Sequence, residues 1–126
     1  MHTFEDLVSI MERLRSETGC PWDRQQTHES LKGCLTEESG EVIQAIDNQD
    51  MDNLCEELGD LLFQVMIHSQ IAKEDGCFTI DDVVDGICEK MIRRHPHVFG
   101  NTKVNSPEES LALWNAIKKQ EKAKKP

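Results

Sequence analysis

The segment Thr36–Asp60 constrains this chain most. It carries two acidic clusters, Glu37–Glu38–Ser39–Gly40–Glu41 and Glu56–Glu57–Leu58–Gly59–Asp60, each set in an apolar pattern of helical period. Only the short polar stretch Asp47–Asp50 separates them. A connection of a few residues makes the two helices antiparallel neighbours. The chain must therefore fold six acids close to one hairpin, and that much negative charge needs a counter-ion.

Helical residues advance about 100° each, so a wheel sorts the acids. Glu38 falls within the stripe of Leu31, Leu35 and Val42; Glu41 lies at its edge, and Glu37 is turned further out. On the next helix Glu57 sits at the edge of the Leu54–Leu58–Leu61 face, Asp60 just beyond it, and Glu56 nearly opposite, in solvent. Glu38 and Asp60 are equidistant from position 49, and so are Glu41 and Glu57. Glu41 is thus level with Glu57, and Glu38 with Asp60, in two layers along one seam. Partnerless buried carboxylates take up protons or destabilise the fold. A set of oxygen-only donors suits Mg²⁺, or Mn²⁺, rather than zinc. A lone E-x-x-E is ordinarily a solvated helix face, but two clusters of mirrored spacing argue against that here. A di-iron bundle uses Glu-x-x-His, whereas the nearest downstream histidine, His68, lies two helical turns past Asp60.

The chain has 126 residues, enough for one domain spanning 1–126. The absence of Tyr and the low Gly and Pro content favour helices over a sandwich or barrel. A net charge of −10 argues against nucleic acid and membrane surfaces as partners, because phosphate backbones need basic surface. A small phosphate-bearing ligand is still allowed if divalent cations bridge it to the carboxylates. Five cysteines without a C-x-x-C read as buried free thiols in a reducing cytoplasm. Met1–Met11 has neither a basic n-region nor an apolar run, so neither a signal peptide nor a membrane span is expected.

Along the chain, the apolar spacing predicts a helix over Phe4–Glu17, stopped by Gly19, then a turn over Gly19–Asp23 that Trp22 anchors by packing. Further helices are expected from about Thr27 to Asp47 and from Asp50 to Lys73, the latter closed by Gly76. Thr79 and Asp82 resemble a capping box opening a fourth helix, which Pro96 ends; His97–Asn105 reads as an irregular loop. Ser106–Pro107–Glu108–Glu109 supplies an N-cap, a proline at N1 and a glutamate at N3 for a final helix through about Lys119, with a frayed basic tail over about 119–126.

Lys90 and Arg94 are spaced i, i+4 beside the Val83–Ile87–Met91 face, while Arg93 points away. They either neutralise the carboxylates directly or hold the terminal phosphates of a ligand. Trp114, among Leu111, Leu113 and Ile117, is either a core side chain or a flat surface for a nucleobase, with Lys118 near the phosphates. His95 and His97 flank Pro96 and suit a loop role better than metal ligation.

These residues resemble a known family. Glu37-Glu38-x-x-Glu41 followed by Glu57-x-x-Asp60 is similar to the signature of the all-α nucleoside triphosphate pyrophosphohydrolases. Gly19-Cys20-Pro21-Trp22-Asp23, Gln26-Thr27, Glu57–Gln64 and Arg93-Arg94-His95-Pro96-His97-Val98-Phe99 look specifically like MazG, over about Leu7 to Glu121. The resemblance implies an all-α, four-helix-bundle-like unit of about five helices, completed by dimerisation into a homodimer. It implies Mg²⁺-dependent hydrolysis of NTPs or dNTPs to monophosphate and pyrophosphate. Carried over by position, Glu38, Glu41, Glu57 and Asp60 become metal ligands; Lys90, Arg94, Trp114 and Lys118 become nucleotide contacts. Glu37 belongs to the motif as a candidate to orient or deprotonate the attacking water. MazG proteins often carry two such units in tandem, and this sequence has one, with Asn53 where the second unit tends to carry a lysine. The alternatives are a catalytically weak nucleotide-binding or regulatory dimer module, and a metal-storage or redox bundle.

Overall fold

The computed structural model describes residues 1–124, and among these the regular structure is helical throughout. It comprises α1 (Phe4–Leu14), α2 (Pro21–Gln25), α3 (Lys32–Asp47), α4 (Met51–Glu74), α5 (Ile80–Arg94), α6 (Pro96–Phe99) and α7 (Pro107–Ala123). The all-α class read from the sequence is what forms. Five of the helices are long; α2 and α6 are single short turns where a turn and a loop were expected. No helix is long and apolar enough to cross a membrane. The chain divides into two compact units, Met1–Ile80 and the residues from Asp81 on.

In the first unit α1 starts on a capping box: Thr3 Oγ1 accepts from the Asp6 N–H, and the Asp6 carboxylate accepts from the Thr3 N–H. It ends at Leu14, short of Glu17, because the chain folds back at once: Cys20 N–H donates to the Leu14 carbonyl at 2.8 Å. Gly19 permits this return, since a Cβ there would lie 2.2 Å from the carbonyl oxygens of Arg13 and Leu14. Trp22 does not anchor the turn, being 52% exposed. The anchor is Arg15, whose Nη1 donates to the carbonyls of Asp23 and Gln26 while Nε and Nη2 both reach the Glu74 carboxylate at 2.9 Å.

α3 begins at Lys32 rather than near Thr27. Thr27 and Ser30 cap each other, each N–H donating to the other's hydroxyl at 2.9 and 3.0 Å, and this local bonding competes with helix. The hairpin reverses at the sequence midpoint: Gln49 takes a left-handed φ of 53°, Gln49 N–H donates to Ile46 O and Asp50 N–H to Ala45 O. That is a Schellman closure made without glycine. Asp50 then caps α4 by accepting from the Asn53 N–H. α4 closes in the same way at Gly76, whose φ is 73°.

Met11, Leu31, Met66, Ile67 and Ile71 form the core, with Leu7, Val8, Cys34, Phe63 and Ile80 packed against it. This core occupies α1, the entry to α3 and the C-terminal half of α4. Along the α3–α4 hairpin other apolar side chains lie open instead of buried: Leu35, Ile43, Ile46, Met51, Leu58, Leu62 and Val65 are all exposed. All five cysteines are free, but Cys55, Cys77 and Cys88 are exposed rather than buried.

In the second unit α7 starts as its sequence predicts, with Ser106 accepting from the Glu109 N–H and Pro107 at N1. It continues past Lys119 to Ala123. Of the expected frayed tail, residues 125 and 126 lie outside the described residues.

Candidate metal centre

α3 and α4 pack side by side, and the closure at Gln49 fixes their register. That register sets Glu38 and Glu41 of α3 against Glu57 and Asp60 of α4. One carboxylate oxygen from each of the four lies within 4.8 Å of all the others. Glu38, Glu41 and Glu57 are half-buried and Asp60 is exposed at the rim; Glu37 and Glu56 are exposed and stand outside the group.

Among the described residues no ion pair reaches the four. The electrostatics register the lack. Glu38 is raised above the usual carboxylate range, first by burial and then by repulsion from Glu41 and Asp60. Glu57 is pushed up to about 7, first because in its protonated form it hydrogen-bonds the Glu41 carboxylate, then by burial and Glu41's charge. When ionised, Oε2 of Glu38 and Oε2 of Glu57 are buried with no hydrogen-bond partner. Orphaned, converging, all-oxygen donors fit a hard divalent cation, which would satisfy both atoms and remove the repulsion.

The other residues singled out by sequence lie in the second unit. Arg94 is 7% exposed at the end of α5, with its guanidinium carbon 4.7 Å from the Trp114 ring centroid. Its Nη2 donates to Glu121 Oε1 at 2.8 Å. Arg93 does not point away: its Nε donates to Glu121 Oε2 at 2.6 Å. The two guanidinium groups hold the Glu121 carboxyl down to about 2. His95 meets the Trp114 ring edge-on at 5.5 Å, and its Nδ1 is bonded to the Met91 carbonyl at 2.6 Å. Lys90 is half-buried and Lys118 exposed. Sequence reasoning missed Glu121, although Trp114, Lys118 and Glu121 follow one another at i, i+4, i+7 along one face of α7.

Comparison with known proteins gives the lineage. The MazG nucleotide pyrophosphohydrolase domain model matches residues 26–99, which contain the whole carboxylate group. The nucleoside triphosphate pyrophosphohydrolase/pyrophosphatase MazG of Thermotoga maritima is 60% identical over 97% of this chain and 46% of its own length. An uncharacterized protein YabN of Bacillus subtilis is 54% identical over 96% of this chain and 25% of its own. A nucleoside triphosphate pyrophosphohydrolase of Escherichia coli is 45% identical over 99% and 48%. The chain thus spans half or less of these relatives. The crystal structure of a MazG-related protein from Thermotoga maritima superposes with a TM-score of 0.74 at 34% identity, covering 91% of this chain and 98% of that one. By motif, by fold and by relatives, this chain belongs to the MazG nucleotide pyrophosphohydrolase domain family.

Proposed function

We propose that the chain hydrolyses nucleoside triphosphates, ribo- or deoxyribo-, to monophosphate and pyrophosphate with Mg²⁺, Mn²⁺ being able to substitute. One observation carries this reading: four carboxylates from mirrored positions of one hairpin converge within 4.8 Å with two buried oxygens unpartnered. The names of relatives that align over nearly all of this chain support it.

In this reading Glu38, Glu41, Glu57 and Asp60 hold the cation. Mg²⁺, when bound, supplies charge neutralisation at phosphate oxygens and acidifies water. Glu57 gives up its proton as the ligand set becomes fully ionised. Glu37, exposed one residue before Glu38, orients or deprotonates the water that attacks the α-phosphorus, and the bond to the β-phosphate oxygen breaks. Lys90 offsets charge on the leaving pyrophosphate, and Arg94 joins it by exchanging its Glu121 contact for a phosphate oxygen. Trp114 offers its ring to the base, and Lys118 serves the phosphates. The open apolar side chains of the α3–α4 hairpin are the surface on which a second copy completes the unit, since a solvent-exposed apolar patch of this extent marks an interface. Five free cysteines suit a reducing cytoplasm.

The test is pure protein with a mixed NTP and dNTP panel and Mg²⁺, with light scattering to give the oligomer. Pyrophosphate and monophosphate should appear, and Glu38→Gln or Asp60→Asn should abolish them. Nucleotide binding with no turnover would leave a regulatory module instead.

A further inference from the structure

Outside the carboxylate group the first unit holds a second unusual contact. His28, in the turn that leads into α3, and His68, on α4, place their Nδ1 atoms 2.7 Å apart. Their ring planes are parallel to within 4° and their centroids 5.0 Å apart. Those values together describe two coplanar rings pointing Nδ1 at Nδ1 along the line of centres, not a face-to-face stack. A metal between them is excluded, because each nitrogen needs about 2.0–2.1 Å to a metal ion. What fits in the gap is one proton.

We propose that His28 and His68 form a one-proton clasp that fastens the entry of α3 to α4 and lets go in acid. The tautomers follow from burial. His68 Nε2 is buried with no hydrogen-bond partner, so leaving it as a bare lone pair costs less than stranding an N–H there. His68 therefore donates from Nδ1 and His28, an exposed residue, accepts and carries its own proton on Nε2. If His28 becomes imidazolium, His68 can accept its Nδ1–H only by moving its own proton to the buried, partnerless Nε2, so the clasp is weakened. Two charged rings cannot share this contact.

The surroundings offer no compensation. Glu29, beside His28, is paired with Lys32 at 2.8 Å. Glu12 on α1 is taken by Lys73 at 3.0 Å, and Arg15, just past its end, by Glu74. The influences on His68 are burial first and His28 second, and both lower its proton affinity below the ordinary histidine value. A depressed folded value means that the unfolded chain binds more protons just below pH 6.5, so the clasp's stability is present above that pH and lost on acidification. What loosens is the mutually capped Thr27–Ser30 turn, next to the fully buried Leu31, at the start of the helix that carries Glu38 and Glu41.

The test follows the ring nitrogens of His28 and His68 by NMR in the full chain from about pH 8 to about pH 4.5, beside melting curves of wild type and His28→Asn over the same range. The asparagine amide sits where Nδ1 did and keeps the hydrogen bond without a second charge. His68 should take up its proton below the ordinary histidine range. Between pH 7 and 5 the wild-type Tm should fall by several degrees relative to that of His28→Asn. His2, His95, His97 and the hairpin carboxylates are common to both proteins and cancel. Independent titration of both rings near the ordinary value, or an unchanged pH dependence in His28→Asn, would overturn the proposal.

Discussion

Binding of a divalent cation should expel a proton from the carboxylate group, in an amount set by Glu57. With Glu57 at about 7 in the metal-free chain, it is about half protonated at pH 7, about nine-tenths at pH 6 and about one-tenth at pH 8. Metal ligands bind ionised, so Mg²⁺ releases that fraction. The raised Glu38 adds to it, which makes these figures a floor. Calorimetric titration of Mg²⁺ in buffers of different ionisation enthalpy reads the protons released at each pH. Release equal at pH 6 and pH 8, or none at pH 6, would refute the account of the site as a proton-bridged, metal-ready cluster.

The same proton makes a stability prediction whose sign is unusual for an acid. The folded value of Glu57 lies above its unfolded 4.5, so its contribution is fully present below about pH 4.5 and is lost as pH rises through about 7. Metal-free protein should lose stability from this group over that window, opposite in direction to the histidine clasp, and Glu57→Gln should remove the effect and raise the metal-free Tm at pH 7. Metal reverses the order. At a hundredfold excess over its Kd, Mg²⁺ adds about 2.7 kcal/mol. For a domain of this size that is roughly 10 °C in Tm.

Two further outcomes are expected. Gln49→Gly should stabilise the hairpin by about 0.5–1 kcal/mol, since a left-handed non-glycine costs about 1–2 kcal/mol and the glycine's extra unfolded entropy returns part of it; a lower urea midpoint would contradict this. Glu121→Gln should lower Tm at pH 7, because it strips the counter-ion from the buried Arg94. Glu121 sits at about 2 against 4.5 unfolded, so its stabilisation is present above about pH 4.5 and lost toward pH 2, and the variant's melting curves should be flatter over that window.

What could be read from sequence was local, or doubly constrained. Ser106 and Pro107 announce α7 because cap chemistry depends on neighbours within one turn. The meeting of Glu38, Glu41, Glu57 and Asp60 was legible because the wheel and the hairpin register each had to place them, and both agreed. Where one constraint acted alone, the reading slipped. Periodicity named the apolar stripe of Leu35, Leu58, Leu62 and Val65 but not whether anything in the chain covers it. It carried α3 back to Thr27 without the mutual capping of Thr27 and Ser30. A long arginine can leave the direction of its Cβ, and so Arg93 reaches Glu121 from a position that a wheel turns away. No sequence pattern joins His28 to His68; only the folded turn does.

The treatment of charge across the chain bears on what the hairpin is for. Buried Arg94 receives Glu121, Arg15 receives Glu74, and Lys73 receives Glu12. Each of these charges is answered within its own unit. Among the described residues the four hairpin carboxylates are not; burial and then repulsion raise the proton affinity of Glu38, and the hydrogen bond to Glu41, burial and Glu41's charge raise that of Glu57. Four oxygens within 4.8 Å of one another form a group that a divalent cation would stabilise. The repulsion among the four carboxylates is what a bound cation would relieve, and the closure at Gln49 sets the register that brings them together.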